Sequence, residues 1–115
     1  MNRRAELDSL MPPCDNEGFL LEPGDWNPAL ASLLAAEDGL SLTPAHWQVI
    51  DFIRASYAKT ESVPEARQVI QHLARSGGDK RAAKQALYQL FPRGYGQQAC
   101  RLAGMRKPLK LMLDV

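Results

Sequence analysis

Eight prolines punctuate this 115-residue chain and decide where helices begin and end. Proline lacks a backbone N–H and is excluded from helix interiors, but it suits the first helical position, where that donor has no partner anyway. Asn27-Pro28 and Thr43-Pro44 each join a capping side chain to such a proline, and predict two helix starts. Pro12-Pro13 bars a helix, and Phe91-Pro92 ends one.

Between these marks the apolar spacing is helical. Leu30, Leu33 and Leu34 form the stripe of a helix stopped by Asp38-Gly39. Trp47, Ile50, Ile53 or Arg54, and Tyr57 mark the longest helix, running to about Lys59, with Trp26 expected in the core beside it. His46 in this helix is read as a packed or surface histidine, since no nucleophile accompanies it. Ser62-Val63-Pro64-Glu65 reads as a capping box for a helix carrying Ala66, Val69, Ile70 and Leu73. Ser76-Gly77-Gly78 ends that helix and Asp79 caps the next, which sets Lys80, Arg81 and Lys84 against Ala83, Ala86, Leu87 and Leu90. A last short helix is predicted from about Gln97 to Ala103, with Gly104 as its left-handed stop. Ahead of these helices, short strands are expected near Ala5 to Leu7, Met11 to Cys14 and Phe19 to Leu21, with a turn at Asp15-Asn16-Glu17-Gly18. The two prolines leave the middle strand irregular or at an edge.

The length fits one domain, and 45% hydrophobic with 23% charged residues is the balance of a folded soluble protein. No apolar run approaches the roughly twenty residues that span a bilayer. The first residues lack the apolar core of a secretion signal, so a cytoplasmic location is expected. The net charge of +1 conceals a division: residues 1–65 hold four Arg or Lys against eleven Asp or Glu, and residues 66–115 hold ten against two. The basic half either meets a polyanion or an acidic protein, or is neutralised by the acidic half within the fold. Lys80, Arg81 and Lys84 open the second helix of a two-helix corner, the outline of a helix-turn-helix, which leaves DNA binding as one alternative and a purely structural corner as the other. Arg93 beside Gly94-Tyr95-Gly96 is a further candidate anion contact.

Two cysteines are too few for a secreted disulfide scaffold, and neither a zinc spacing nor a cofactor motif is present. Cys14 reads as an apolar filler. Cys100 lies in a stretch almost free of acids, with Arg101, Arg106 and Lys107 close in sequence, and cations favour the thiolate. It is the candidate sulfur-handling side chain, expected to react faster than Cys14.

Leu90-Phe91-Pro92-x-Gly94, then Ala99-Cys100-Arg101-x-Ala103-Gly104-x-x-Lys107-Pro108, resembles the C-terminal segment of the DsrC/TusE family of sulfur-relay proteins. Asp15-x-Glu17-Gly18-Phe19-Leu20, Gly24-Asp25-Trp26, Leu42-Thr43-Pro44-Ala45-His46-Trp47 and Ile50-x-Phe52-Ile53-Arg54 extend the resemblance over nearly the whole chain. It implies an α+β, mainly helical fold: a small N-terminal β-meander (residues 1–22) on an array of about five helices (23–104), followed by a C-terminal arm (105–115), all in one domain. It also implies work with protein partners, of a sulfite reductase or of tRNA thiolation; the lack of a zinc spacing or cofactor motif leads to the expectation of no metal and no cofactor. In the family a second cysteine, the sulfur carrier, follows the first by eleven positions on a mobile arm. Here that position is Leu111. The resemblance therefore implies a sulfur-relay context without complete carrier activity. A divergent regulatory paralogue and a DNA-binding protein stand as alternatives. The alternation of Leu109, Leu111 and Leu113 with Lys110 and Met112 suits an arm that binds an apolar surface. The sequence carries no signal of oligomeric state.

Overall fold

The computed structural model describes residues 12–75 and 78–107. Five α-helices lie among them: α1 Pro28–Glu37, α2 Pro44–Thr60, α3 Ala66–Ala74, α4 Lys80–Leu90 and the single turn α5 Cys100–Leu102. A 3₁₀ turn, Pro23–Asp25, precedes α1, and a π-helical turn, Tyr95–Ala99, runs directly into α5.

The helix starts expected from the prolines form. The Asn27 side chain accepts from the Leu30 N–H at 2.9 Å, with Pro28 at the first helical position of α1. At the start of α2, His46 Nδ1 accepts from the Thr43 N–H at 3.0 Å. Asp79 accepts from the Ala82 N–H at 2.7 Å and starts α4. The predicted box at Ser62 does not form. Ser62 pairs with Thr60, and the cap moves to Glu65, whose N–H donates to Gln68 at 2.8 Å. Tertiary structure explains the shift: Pro64 is buried and its carbonyl accepts from the Tyr95 hydroxyl, which holds this segment outside the helix.

The expected strands are reduced to one antiparallel bridge, Cys14 with Leu20, among the described residues. Ala5 to Leu7 lies outside them. The turn is tight because the Asp15 carboxylate takes the N–H groups of Glu17 and Phe19 at 2.9 and 3.0 Å. Pro12 and Pro13 have no N–H to extend the ladder, although Leu21 still donates to the Pro13 carbonyl at 3.1 Å.

Phe19 and Leu20 from this turn join Leu30 and Leu34 of α1, Val49, Ile50 and Ile53 of α2, and Val69 and Leu87 of the α3–α4 corner in one core. Phe91, Tyr95, Leu102 and Met105 complete it, so the C-terminal segment is part of the core up to Met105. Truncating Ile50 or Ile53 to alanine is expected to cost about 2–5 kcal/mol. No helix among the described residues is long and apolar enough to cross a membrane.

Candidate functional site

The π turn sets the geometry around the candidate thiol. Its i to i+5 bond, from the Cys100 N–H to the Tyr95 carbonyl, stacks Cys100 above Tyr95 where an α-helical turn would rotate it away. Both side chains are completely buried. The Tyr95 hydroxyl donates to the Pro64 carbonyl and shares a hydrogen bond with the Cys100 thiol. Burial first, and then the neighbouring Cys100, push the Tyr95 phenol far above its ordinary range. Tyr95 is therefore a neutral phenol whose proton is committed to Pro64, and the thiol faces it in a dry environment.

The cations expected around Cys100 are directed elsewhere. Arg101 reaches the Asp38 carboxylate at 3.5 Å, and Arg93 reaches the same carboxylate at 3.4 Å. Gln98 donates to it at 3.0 Å. Asp38 sits at the C-cap of α1 with its side chain 6% exposed, so this hub ties the end of α1 to the segment that carries Cys100. Lys107 bonds Glu17 at 2.5 Å on the surface, and Arg106 is exposed. The hydrogen bond to Glu17 raises the Lys107 pKa. Leu111 lies outside the described residues.

The main chain leaving Cys100 is also fixed. Gly104 donates to the Arg101 carbonyl at 3.1 Å and Met105 to the Cys100 carbonyl at 3.0 Å, the paired bonds of a Schellman stop with Gly104 at φ +78°. Trp26 Nε1–H donates to the Leu102 carbonyl at 2.8 Å, and Arg54 donates to the Ala103 carbonyl at 2.8 Å.

His46 is 6% exposed, with both ring nitrogens occupied. Nδ1 accepts from the Thr43 N–H, and Nε2 meets the Leu90 carbonyl at 2.8 Å. These partners require the neutral Nε2–H tautomer, which is a structural tie between α2 and α4. Lys80, Arg81 and Lys84 are exposed along α4, and a shallow groove between α3 and α4 is lined by Gln71, Ala74, Arg75 and Lys80. Arg93, the other anion candidate, gives its backbone N–H to Gln98 and its guanidinium to Asp38. Among the described residues no group of His, Cys, Asp and Glu is arranged to hold a metal.

Sequence reasoning placed Cys100 on the last turn but missed Tyr95, Asp38 and Arg54 as the residues that define its setting. A tyrosine five positions before a cysteine gives no periodic signal unless a π turn is foreseen. The Gly-x-Gly around Tyr95 was the available hint, because glycine permits the φ +98° of Gly94 from which the turn departs.

The model of the family described as DsrC like protein matches residues 7–112. Sulfurtransferase TusE of Yersinia pestis is 36% identical over 105 residues, covering 91% of this chain and 96% of that protein. Sulfurtransferase TusE of Escherichia coli strain K12 is 38% identical over 96 residues, covering 84% and 88%. The NMR structure of Allochromatium vinosum DsrC superposes with a TM-score of 0.73 at 37% identity, covering 84% of this chain and 87% of that one. The oxidized gamma-subunit of the dissimilatory sulfite reductase (DsrC) from Archaeoglobus fulgidus gives 0.72 at 32%, covering 84% and 88%.

Proposed function

The chain belongs to the DsrC/TusE family, and from that premise we propose that it docks on protein partners of a sulfur-relay system without completing the carrier step itself. The partners implied are those of a sulfite reductase or of the tRNA 2-thiouridine pathway. The observation that carries the reading is the setting of Cys100: the thiol is fully buried, bonded to a neutral Tyr95, and its neighbouring arginine is spent on Asp38.

Persulfide transfer requires an acceptor thiolate to attack the outer sulfur of a donor persulfide, breaking the S–S bond and releasing the donor thiolate. The attacking sulfur must enter a partner's active site. Leu111, at the family's carrier position, has no nucleophile, and Cys100 lies inside the body instead of on the arm. A chain that keeps the family fold and lacks the carrier thiol also suits a regulator that competes with an intact carrier for the same partner. The DNA reading gains nothing from the relatives, whose names concern sulfur transfer and sulfite reduction.

The decisive experiment is Leu111→Cys with the chain ended after residue 112, treated with a small-molecule persulfide and, separately, with oxidised glutathione. The variant should gain one sulfur from the persulfide at position 111, and under oxidised glutathione lose two hydrogens through an internal link only as fast as local opening exposes the buried Cys100. The parent should gain no sulfur on Cys100 and form no internal link, and any sulfur on the half-buried Cys14 is told apart by peptide mass. A parent that takes up sulfur on Cys100 as readily as the variant would defeat the proposal, and so would a parent that closes a Cys14–Cys100 link.

A further inference from the structure

We propose that Trp26 and Arg54 act as a clamp that fixes the course of the backbone as it passes from the turn carrying Cys100 to Met105, making them positioning residues for that turn. The four carbonyls at the end of a helix have no intrahelical partners, and a Schellman stop normally satisfies two of them. Here those two are the carbonyls of Cys100 and Arg101, taken by Met105 and Gly104. The other two, on Leu102 and Ala103, would ordinarily be left to water. Instead they are taken by the Trp26 indole N–H and the Arg54 guanidinium, both at 2.8 Å, from positions 76 and 49 residues away in sequence.

The two side chains also hold each other. The Arg54 guanidinium lies over the Trp26 ring at 4.2 Å from its centroid, and its second nitrogen donates to the Pro23 carbonyl at 3.2 Å. One planar fork thus joins α2, the 3₁₀ turn before α1 and the Ala103 carbonyl at the end of α5. A cation at a helix C-terminus also complements the negative end of the dipole. Gly104 completes the clamp, because only a residue without Cβ lets the Trp26 side chain come this close to the backbone there. Burial lowers the Arg54 pKa, which fits a guanidinium partly withdrawn from water.

The geometry does more than a core contact requires. Every main-chain acceptor from Cys100 to Ala103 has a named donor, so the direction of the chain at Met105 is set by side chains of two remote elements. The clamp stands on the hydrogen bonds and does not rest on the proposed function.

The test is amide hydrogen exchange on the full chain, comparing the parent with Arg54→Lys and Trp26→Phe. Lysine keeps the charge but cannot reach two carbonyls while stacking on the indole. Phenylalanine keeps a ring face but loses the donor. In each variant the Gly104 and Met105 amides should lose protection by roughly tenfold or more, while those of Ile53 and Leu87 keep theirs, because the opening is local. Protection at Met105 that is unchanged in both variants, or that falls only in step with Ile53 and Leu87, would overturn the clamp. If Arg54→Lys does not fold, Trp26→Phe decides alone. No sulfur chemistry enters the readout, so the sulfur experiment and this one fail separately.

Discussion

The indole of Trp26 lies so close to Gly104 that a Cβ at position 104 would stand 2.4 Å from its Cδ1 atom. Real Cβ contacts do not come that close, and the neighbour in question is a ring held by its own hydrogen bond to Leu102. Gly104→Ala would add a left-handed backbone penalty of about 1–2 kcal/mol to an overpacking cost of about 1–3 kcal/mol. A total of roughly 3 kcal/mol should appear as a lower denaturation midpoint with little change in slope. A variant as stable as the parent would mean that the indole and the final turn are not packed in this way.

Asp38 offers an independent check on how the Cys100 segment is held. Its carboxylate, 6% exposed, takes Arg93, Gln98 and Arg101, and the Arg101 side chain is itself only 13% exposed. Asp38→Ala leaves Arg101 largely withdrawn from water without its counter-ion, so a loss of about 2–4 kcal/mol is expected. Arg93→Ala, which removes a guanidinium that is 66% exposed, should cost less than about 1 kcal/mol. Urea denaturation of the two variants side by side measures the contrast, and equal losses would contradict the assigned burial.

Much of the helical array was legible because its signals are local. Asn27-Pro28, Thr43-Pro44 and Asp79 announce helix starts through chemistry confined to three or four residues; Asn27 and Asp79 cap as read, and at Thr43 the helix starts as read with the His46 ring accepting the Thr43 N–H. Ser62 shows where local reading ends. The box it offers is outcompeted by the Tyr95 hydroxyl, thirty-one residues away, which claims the Pro64 carbonyl. The setting of Cys100 was illegible for the same reason. Arg101 is adjacent in sequence, yet its guanidinium is drawn to Asp38, sixty-three positions distant. Proximity along the chain suggested cations around the sulfur, whereas the π turn stacks Cys100 against a buried tyrosine.

The labelling order of the two cysteines should therefore reverse the expectation from sequence. Cys14 is half-buried in its antiparallel bridge to Leu20, and Cys100 is fully buried. A small neutral alkylating reagent at neutral pH should modify Cys14 first, and Cys100 only at the rate at which its surroundings open. Peptide mass analysis over time reads both sites. Faster modification of Cys100 in the native protein would show that the thiol is accessible and activated.

Tyr95 ties the thiol to the fold, and its contribution should carry a pH signature. The phenol is pushed up first by burial and then by Cys100, so in the folded chain it stays protonated well above the pH at which an unfolded tyrosine ionises, about 10. A group whose folded pKa is raised contributes stability that is fully present below the unfolded pKa and is lost as pH rises above it. Near neutrality, Tyr95→Phe removes the donor to Pro64 and the partner of Cys100, and should cost about 1–3 kcal/mol. Above about pH 10 the parent should also lose roughly 1.4 kcal/mol per pH unit through this one proton, a loss the phenylalanine variant escapes. The stability gap between the two proteins, measured by denaturant unfolding at successive pH values, should thus narrow on the alkaline side. A gap that stays constant from neutral pH to pH 11 would mean that the Tyr95 hydroxyl is not buried against Pro64 and Cys100.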